Sequence, residues 1–120
     1  LLVFGSEWTY FRMGNITVAG RTTTSKDMFD TLNLDPLHKH IVVLHGELRD
    51  RCAENGVIGL VDAQNRNIDY LALGHYHTYS AHTIDKRGTA VYCGTPEGRG
   101  FDEVGDLGFC TVNVTADAEY

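Results

Sequence analysis

Cysteine is scarce in this chain. Cys52, Cys93 and Cys110 make an odd number with no CxxC spacing. Neither a disulfide framework nor a cysteine-built zinc site is expected, and a reducing compartment is the default. Proline is scarcer still, at two residues, which argues against collagen-like or low-complexity disorder. Positive charge is also short: ten basic side chains face sixteen acidic ones, for a formal charge of −6. Such a surface does not attract a polyanion as a whole, so contact with nucleic acid has to be local or metal-mediated. No run approaches the roughly 18 apolar residues of a membrane helix. Leu1 to Gly5 is too short, and too bare of flanking charge, for a signal peptide. The expectation is a soluble, unexported, cytoplasmic protein with no membrane partner. On that expectation the glycosylation-type triplets at Asn15 and Asn113 are chance matches.

What is present is ordinary globular material: 120 residues, 42% hydrophobic and 22% charged, which is enough for one domain with a buried core. No repeat, linker or low-complexity tract divides it, so residues 1–120 read as a single domain or part of one. The chain opens on Leu1 and runs directly into apolar sequence with no polar lead-in, which suggests a piece of something longer.

Apolar stretches at Leu2–Phe4, Trp8–Phe11 and Ile16–Ala19, separated by Gly5-Ser6 and Gly14-Asn15, predict two or three strands. Ser25 precedes Met28, Phe29 and Leu32 on one helical face, with Asp27 in the first turn, predicting a short helix that stops before Pro36. Ile41–Leu44 and Tyr70–Leu73 are apolar without alternation, the pattern of strands covered on both faces. The mixed segment Leu48–Arg66, interrupted by Gly56 and Gly59, reads as loop plus short helix. Ala81–Ile84 and Ala90–Cys93 flank Asp85-Lys86-Arg87-Gly88 as a hairpin. Gly94–Gly108 reads as a glycine-rich loop, and Phe109–Val114 alternates as a last strand.

Both non-alternating strands run into histidine. His45 follows the first, and His75 and His77 follow the second. Open α/β sheets place their ligand crevice at such strand ends. Residues i and i+2 of an extended segment share a face, so His75 and His77 can point the same way. Gly46 and Gly74 leave space beside the imidazoles. If the two strands are neighbours, three imidazoles converge, a donor set suited to zinc or, with added oxygen ligands, another first-row divalent ion. The competing interpretation of each histidine is a hydrogen-bonded structural residue at a strand end. His38, His40 and His82 lack the strand-end glycine and read as solvent-exposed or structural.

These residues carry a resemblance. Leu71-Ala72-Leu73-Gly74-His75-Tyr76-His77 resembles the G-H-x-H motif of calcineurin-like metallophosphoesterases, and Val43-Leu44-His45-Gly46 resembles their upstream single-histidine motif. Ile68-Asp69-Tyr70 before the pair and Tyr92-Cys93-Gly94-Thr95-Pro96-Glu97-Gly98 after it look most like the SbcD-type DNA-repair exonucleases. The resemblance spans about residues 10–112. It implies the C-terminal portion of a four-layered α/β-sandwich domain, strand-rich in this part with few short helices. It also implies two divalent metal ions, manganese in the full domain. His45 and His75 match the ligands of the second ion, and His77 matches a ligand of the first. DNA is the implied substrate and an ATPase the implied partner. The family's earlier motifs, D-x-H, G-D-x-x-D and G-N-H-[DE], do not occur in these 120 residues. With them go the bridging carboxylate, an asparagine ligand and the proton-donating histidine. The chain alone is therefore expected to be inactive, with its catalytic proton donor upstream of Leu1.

Other residues carry weaker signals. Arg99, in a loop crowded with Glu97, Asp102, Glu103 and Asp106, is placed to touch a substrate phosphate, against the alternative of a solvated loop. Trp8, Tyr10 and Phe11 offer a stacking surface for bases but read better as core of the first sheet. Tyr76 should project away from its flanking histidines. Glu47 is either a surface carboxylate or an orienting partner for a ligand. Lys86 and Arg87 read as an ordinary charged turn tip. The alternative functions are a phosphoesterase for small phosphate esters or cyclic nucleotides, and a non-catalytic binding or scaffold module.

Overall fold

The computed structural model describes residues 4–25, 27–51, 54–76 and 78–94. The segment Leu2–Val3, the loop from Thr95 onward and the expected strand Phe109–Val114 lie outside them.

The described part is a strand-rich α/β-like fold built on a mixed sheet. In chain order the strands are β1 (Thr9–Met13), β2 (Ile16–Gly20), β3 (Lys39–His45), β4 (Glu47–Arg49), β5 (Val57–Gly59), β6 (Tyr70–Gly74), β7 (Ser80–Thr83) and β8 (Thr89–Tyr92). Among the described residues, six of them form one sheet in the order β1-β2-β3-β6-β8-β7, and β4 and β5 form a separate parallel pair. The centre of the large sheet is parallel, β2 to β3 to β6 to β8. Each edge is closed by an antiparallel hairpin.

Register puts Val42 beside Leu71 and Leu71 beside Ala90, then Leu44 beside Leu73 and Leu73 beside Tyr92. Side chains alternate along a strand, so these residues line one face. That face is buried against Met28, Phe29, Leu34, Ile58, Ala63 and Ile68. The opposite face carries Ile41, Val43, Tyr70 and Ala72, which are only half-buried. The expectation of strands covered on both faces therefore holds for one face of β3 and β6.

The expected helix after Ser25 is a single 3-10 turn, Met28–Thr31. Two side chains account for its shortness. The Met28 carbonyl accepts hydrogen bonds from Trp8 Nε1 at 2.7 Å and from Thr31 Oγ1 at 2.9 Å, so it is already occupied where a helix would need it for the amide four residues on. Asp27 makes no side-chain cap to offset the cost of nucleation. The segment Leu48–Arg66, expected as loop plus short helix, instead contributes β4 and β5. Strands of three residues are too short to show a period.

The charged turn tip is the largest departure from expectation. Arg87 reaches back under the sheet to Asp69, whose side chain is 4% exposed. Its Nε donates to Oδ1 at 2.7 Å and its Nη2 to Oδ2 at 3.0 Å. The same guanidinium donates to the carbonyls of Pro36, at 2.8 Å, and His38. Asp69 Oδ2 also accepts the His40 amide at 2.8 Å, and the backbones of His40, Asp69 and Thr89 are joined in series. One ion pair thus ties the starts of β3, β6 and β8 together. Gly88 makes the approach possible, since a Cβ there would lie 2.2 Å from the Ile68 carbonyl oxygen.

Removing one partner strands a buried charge. Arg87→Met should therefore lower the unfolding free energy by about 3 kcal/mol in urea titrations, and Asp69→Asn by a comparable amount. A loss confined to the few tenths typical of a surface pair would contradict this account of the clamp.

His40 adds a pH dependence. Its Nε2 donates to the Asp35 carbonyl at 2.5 Å, and its Nδ1 is buried with no hydrogen-bond partner among the described residues. Burial pushes its pKa below the ordinary 6.5, with the Asp35 carbonyl opposing. A depressed folded-state pKa means that the unfolded chain takes up the proton more readily. The stability contributed by neutral His40 is present above pH 6.5 and is lost as pH falls below it. The urea midpoint should drop between neutral pH and about pH 5.5, and His40→Asn should flatten that drop.

Candidate functional site

Parallel pairing of β3 with β6 sets His45 directly beside Gly74 at the C-terminal edge of the sheet. His75 follows immediately, and the two imidazoles stand edge to face with centroids 5.5 Å apart and planes at 83°. Both side chains are exposed. Of the three histidines expected to converge, the structure brings together His45 and His75. His77 and Arg99 lie outside the described residues.

Two glycines shape the edge. A Cβ on Gly74 would sit 3.0 Å from His45 Nδ1, so the imidazole lies over this residue because it has no side chain. A Cβ on Gly46 would meet the Gly56 carbonyl oxygen at 2.8 Å, so the chain leaving His45 can pair with β5 only as glycine. The Gly46 amide donates to the Gly74 carbonyl at 3.0 Å, and the Gly46 carbonyl accepts from the buried Tyr92 hydroxyl at 2.5 Å. Burial raises the Tyr92 pKa, keeping the phenol protonated as the donor. Both histidine-bearing strand ends are thereby locked to each other and to β8.

His75 has φ of 133°, a backbone conformation that L-residues other than glycine rarely adopt. Such strain is retained only where the surroundings impose it, and it clusters at functional sites. The Tyr76 ring packs edge-on against both His75, at 4.8 Å, and Tyr92, at 5.0 Å. Its hydroxyl donates to Glu47 Oε1 at 2.8 Å, and Arg49 Nη2 pairs with the same carboxylate at 3.0 Å. The Tyr76 hydroxyl first, then Arg49, hold Glu47 below its ordinary carboxylate range, and Glu47 in turn raises Tyr76. Glu47, expected as a plain surface carboxylate or an orienting partner, is linked to His75 through Tyr76. Sequence spacing could not show this, because Glu47 and Tyr76 stand 29 residues apart.

The remaining candidates separate cleanly. His40 is buried and structural, while His38 pairs with Asp35 at 2.9 Å on the surface. The exposed His82 contacts Ser80. Trp8 and Phe11 pack, against Phe29 and Phe4 respectively, whereas Tyr10 is 41% exposed. Among the described residues no group of three or more His, Cys, Asp or Glu side chains is close enough to hold a metal ion. Two imidazoles and a carboxylate already engaged by Tyr76 and Arg49 are too few oxygen donors for a pair of hard divalent ions.

No family model matches the chain, and neither a curated protein nor a solved structure matches it.

The strained backbone yields a clear expectation. His75→Gly relieves the φ of 133° and should raise unfolding stability by about 1 kcal/mol, whereas His75→Ala keeps the strain and should not. Gly74→Ala should be destabilising, because the new methyl displaces the His45 ring. Urea midpoints that rank His75→Ala at or above His75→Gly would show that the backbone there is unstrained.

Proposed function

We propose that the chain is part of a metal-dependent phosphodiesterase of the DNA-repair exonuclease type, contributing the histidine half of a two-metal site. The observation that carries the proposal is the His45–His75 pair at the ends of adjacent parallel strands, with ring centroids 5.5 Å apart. That placement agrees with the strand-end histidine motifs of calcineurin-like phosphoesterases. Locking of both strand ends through Tyr92, Gly46 and Gly74 supports a site built for geometry rather than for stability.

In this proposal His45 and His75 hold the second ion and His77 a ligand position on the first. Paired divalent ions about 3.5–4 Å apart supply an activated water and neutralise charge on the phosphate oxygens. The bridging carboxylate and the proton donor come from residues upstream of Leu1. DNA is the proposed substrate and manganese the proposed metal, with an ATPase as partner. An acidic chain recruits a polyanion through bound metal rather than through its surface charge. Arg99 is proposed to touch substrate phosphate.

The test compares the 120-residue chain with a longer polypeptide carrying the upstream motifs, using a DNA substrate and a small chromogenic diester. The short chain should show no turnover and should prefer zinc or nickel to manganese, as imidazole donors do. The longer polypeptide should hydrolyse DNA with manganese. There His77→Ala should lower kcat by at least roughly a hundredfold, since it displaces the ion that activates water. Robust, chelator-sensitive cleavage by the short chain, or tight binding of two manganese ions to it, would contradict the proposal. Turnover of the small diester without DNA cleavage would favour a small-ester substrate.

A further inference from the structure

Asparagine is followed by glycine once in the chain, at Asn55-Gly56. The other asparagines, Asn15, Asn33, Asn65, Asn67 and Asn113, precede isoleucine, leucine, arginine, isoleucine and valine. The difference is chemical. The side-chain amide carbon of an asparagine can be attacked by the backbone nitrogen of the next residue, which closes a cyclic imide. A side chain on that next residue crowds the ring closure, whereas glycine leaves the backbone free to reach it.

The structure leaves both partners of that reaction accessible. Asn55 and Gly56 form the exposed turn that enters β5. Gly56 has φ of 86°, in the left-handed region that favours glycine. Apart from its chain neighbours, no atom of the described residues lies within 4 Å of where its Cβ would be. Among the described residues neither the Asn55 side chain nor the Gly56 amide is engaged in a hydrogen bond. The Gly56 carbonyl, by contrast, is fixed. It accepts the Glu47 amide at 3.0 Å and would lie 2.8 Å from a Cβ on Gly46. The next residue, buried Val57, is the register partner of Glu47. An open, reactive turn is therefore joined directly to the segment that leaves His45.

We propose that Asn55 is a site of spontaneous deamidation, and that the isoaspartate formed there displaces Gly56 from Gly46 and Glu47 at the strand end that carries His45. The Gly56 nitrogen bonds to Asn55 Cγ, and the side-chain nitrogen leaves as ammonia with the proton that the Gly56 amide gives up. Water then opens the imide. Hydrolysis at Cγ leaves aspartate on an unchanged backbone. Hydrolysis at the Asn55 backbone carbonyl leaves isoaspartate, whose chain runs through Cβ and Cγ and is one carbon longer. Both products add a carboxylate, but only isoaspartate moves the chain ahead of Gly56. The Gly56 carbonyl sits too close to Gly46 to absorb that added length without shifting its bond to Glu47. The inference is independent of the proposed phosphodiesterase function.

The experiment ages the folded 120-residue chain in mildly alkaline buffer at physiological temperature and follows it by peptide mapping with mass spectrometry and by an isoaspartate-specific methylation assay. Asn55 should be the first asparagine lost, its side-chain nitrogen exchanged for oxygen, with isoaspartate among the products. Asn55→Gln, which would have to close a larger ring, should suppress the isoaspartate signal. The isoaspartyl form, purified by chromatography, should show shifted Gly46 and Glu47 amide resonances and a lower urea midpoint than the fresh chain. Asn55→Asp carries the new charge on a backbone of ordinary length and should leave those resonances and the midpoint in place. Persistence of Asn55, or an isoaspartate signal undiminished by Asn55→Gln, would overturn the proposal. So would Gly46 and Glu47 resonances that the isoaspartyl form leaves unmoved, or that Asn55→Asp displaces equally.

Discussion

The buried pair Asp69–Arg87 is the contact on which the rest of this structure depends. Parallel strands have no local turn to set their register, so something non-local has to align their starts. Here one guanidinium spans the Asp69 carboxylate and the carbonyls of Pro36 and His38, and the carboxylate also takes the His40 amide. With their starts aligned, β3 and β6 end level with each other, which is why His45 and Gly74 are register partners. A slip of one residue would turn His45 to the opposite face and separate the two imidazoles. Replacing the pair by apolar residues could preserve stability, but it would lose this directional tie.

Much of the sheet was legible from composition and pattern. The apolar runs at Ile16–Ala19, Ile41–Leu44 and Tyr70–Leu73, and Ala90–Cys93 as far as Tyr92, lie on the four parallel strands, and Asp85-Lys86-Arg87-Gly88 lies in the turn between β7 and β8. These are the elements in which apolar burial and turn chemistry act locally. The placement of His45 and His75 was legible for the same reason, since each follows directly on such a run.

What was not legible depended on partners distant in sequence. Arg87 looked like a solvated turn residue because its carboxylate partner is 18 positions away, on another strand. The helix expected after Ser25 fails at one carbonyl, claimed by a tryptophan 20 positions earlier. The β4–β5 pair is too short for any period to reveal, and the role of Glu47 emerges only when Tyr76 arrives beside it. For Arg87 and for the segment after Ser25, a distant side chain overrides a local preference. The strained φ at His75 likewise has no local sequence signal, because a histidine in that position costs energy that the surrounding contacts have to offset.

The central proposal is that the histidines at the strand ends form one metal-binding unit, distinct from the structural and surface histidines. Side-chain NMR of imidazole nitrogens, with zinc titrated into the 120-residue chain, tests it most directly. The account predicts that His45, His75 and His77 respond together at a single stoichiometry, while the buried His40 and the surface residues His38 and His82 do not respond until that site is full. Zinc taken up first by His38 or His82, or titration of His45 independently of His75, would contradict it.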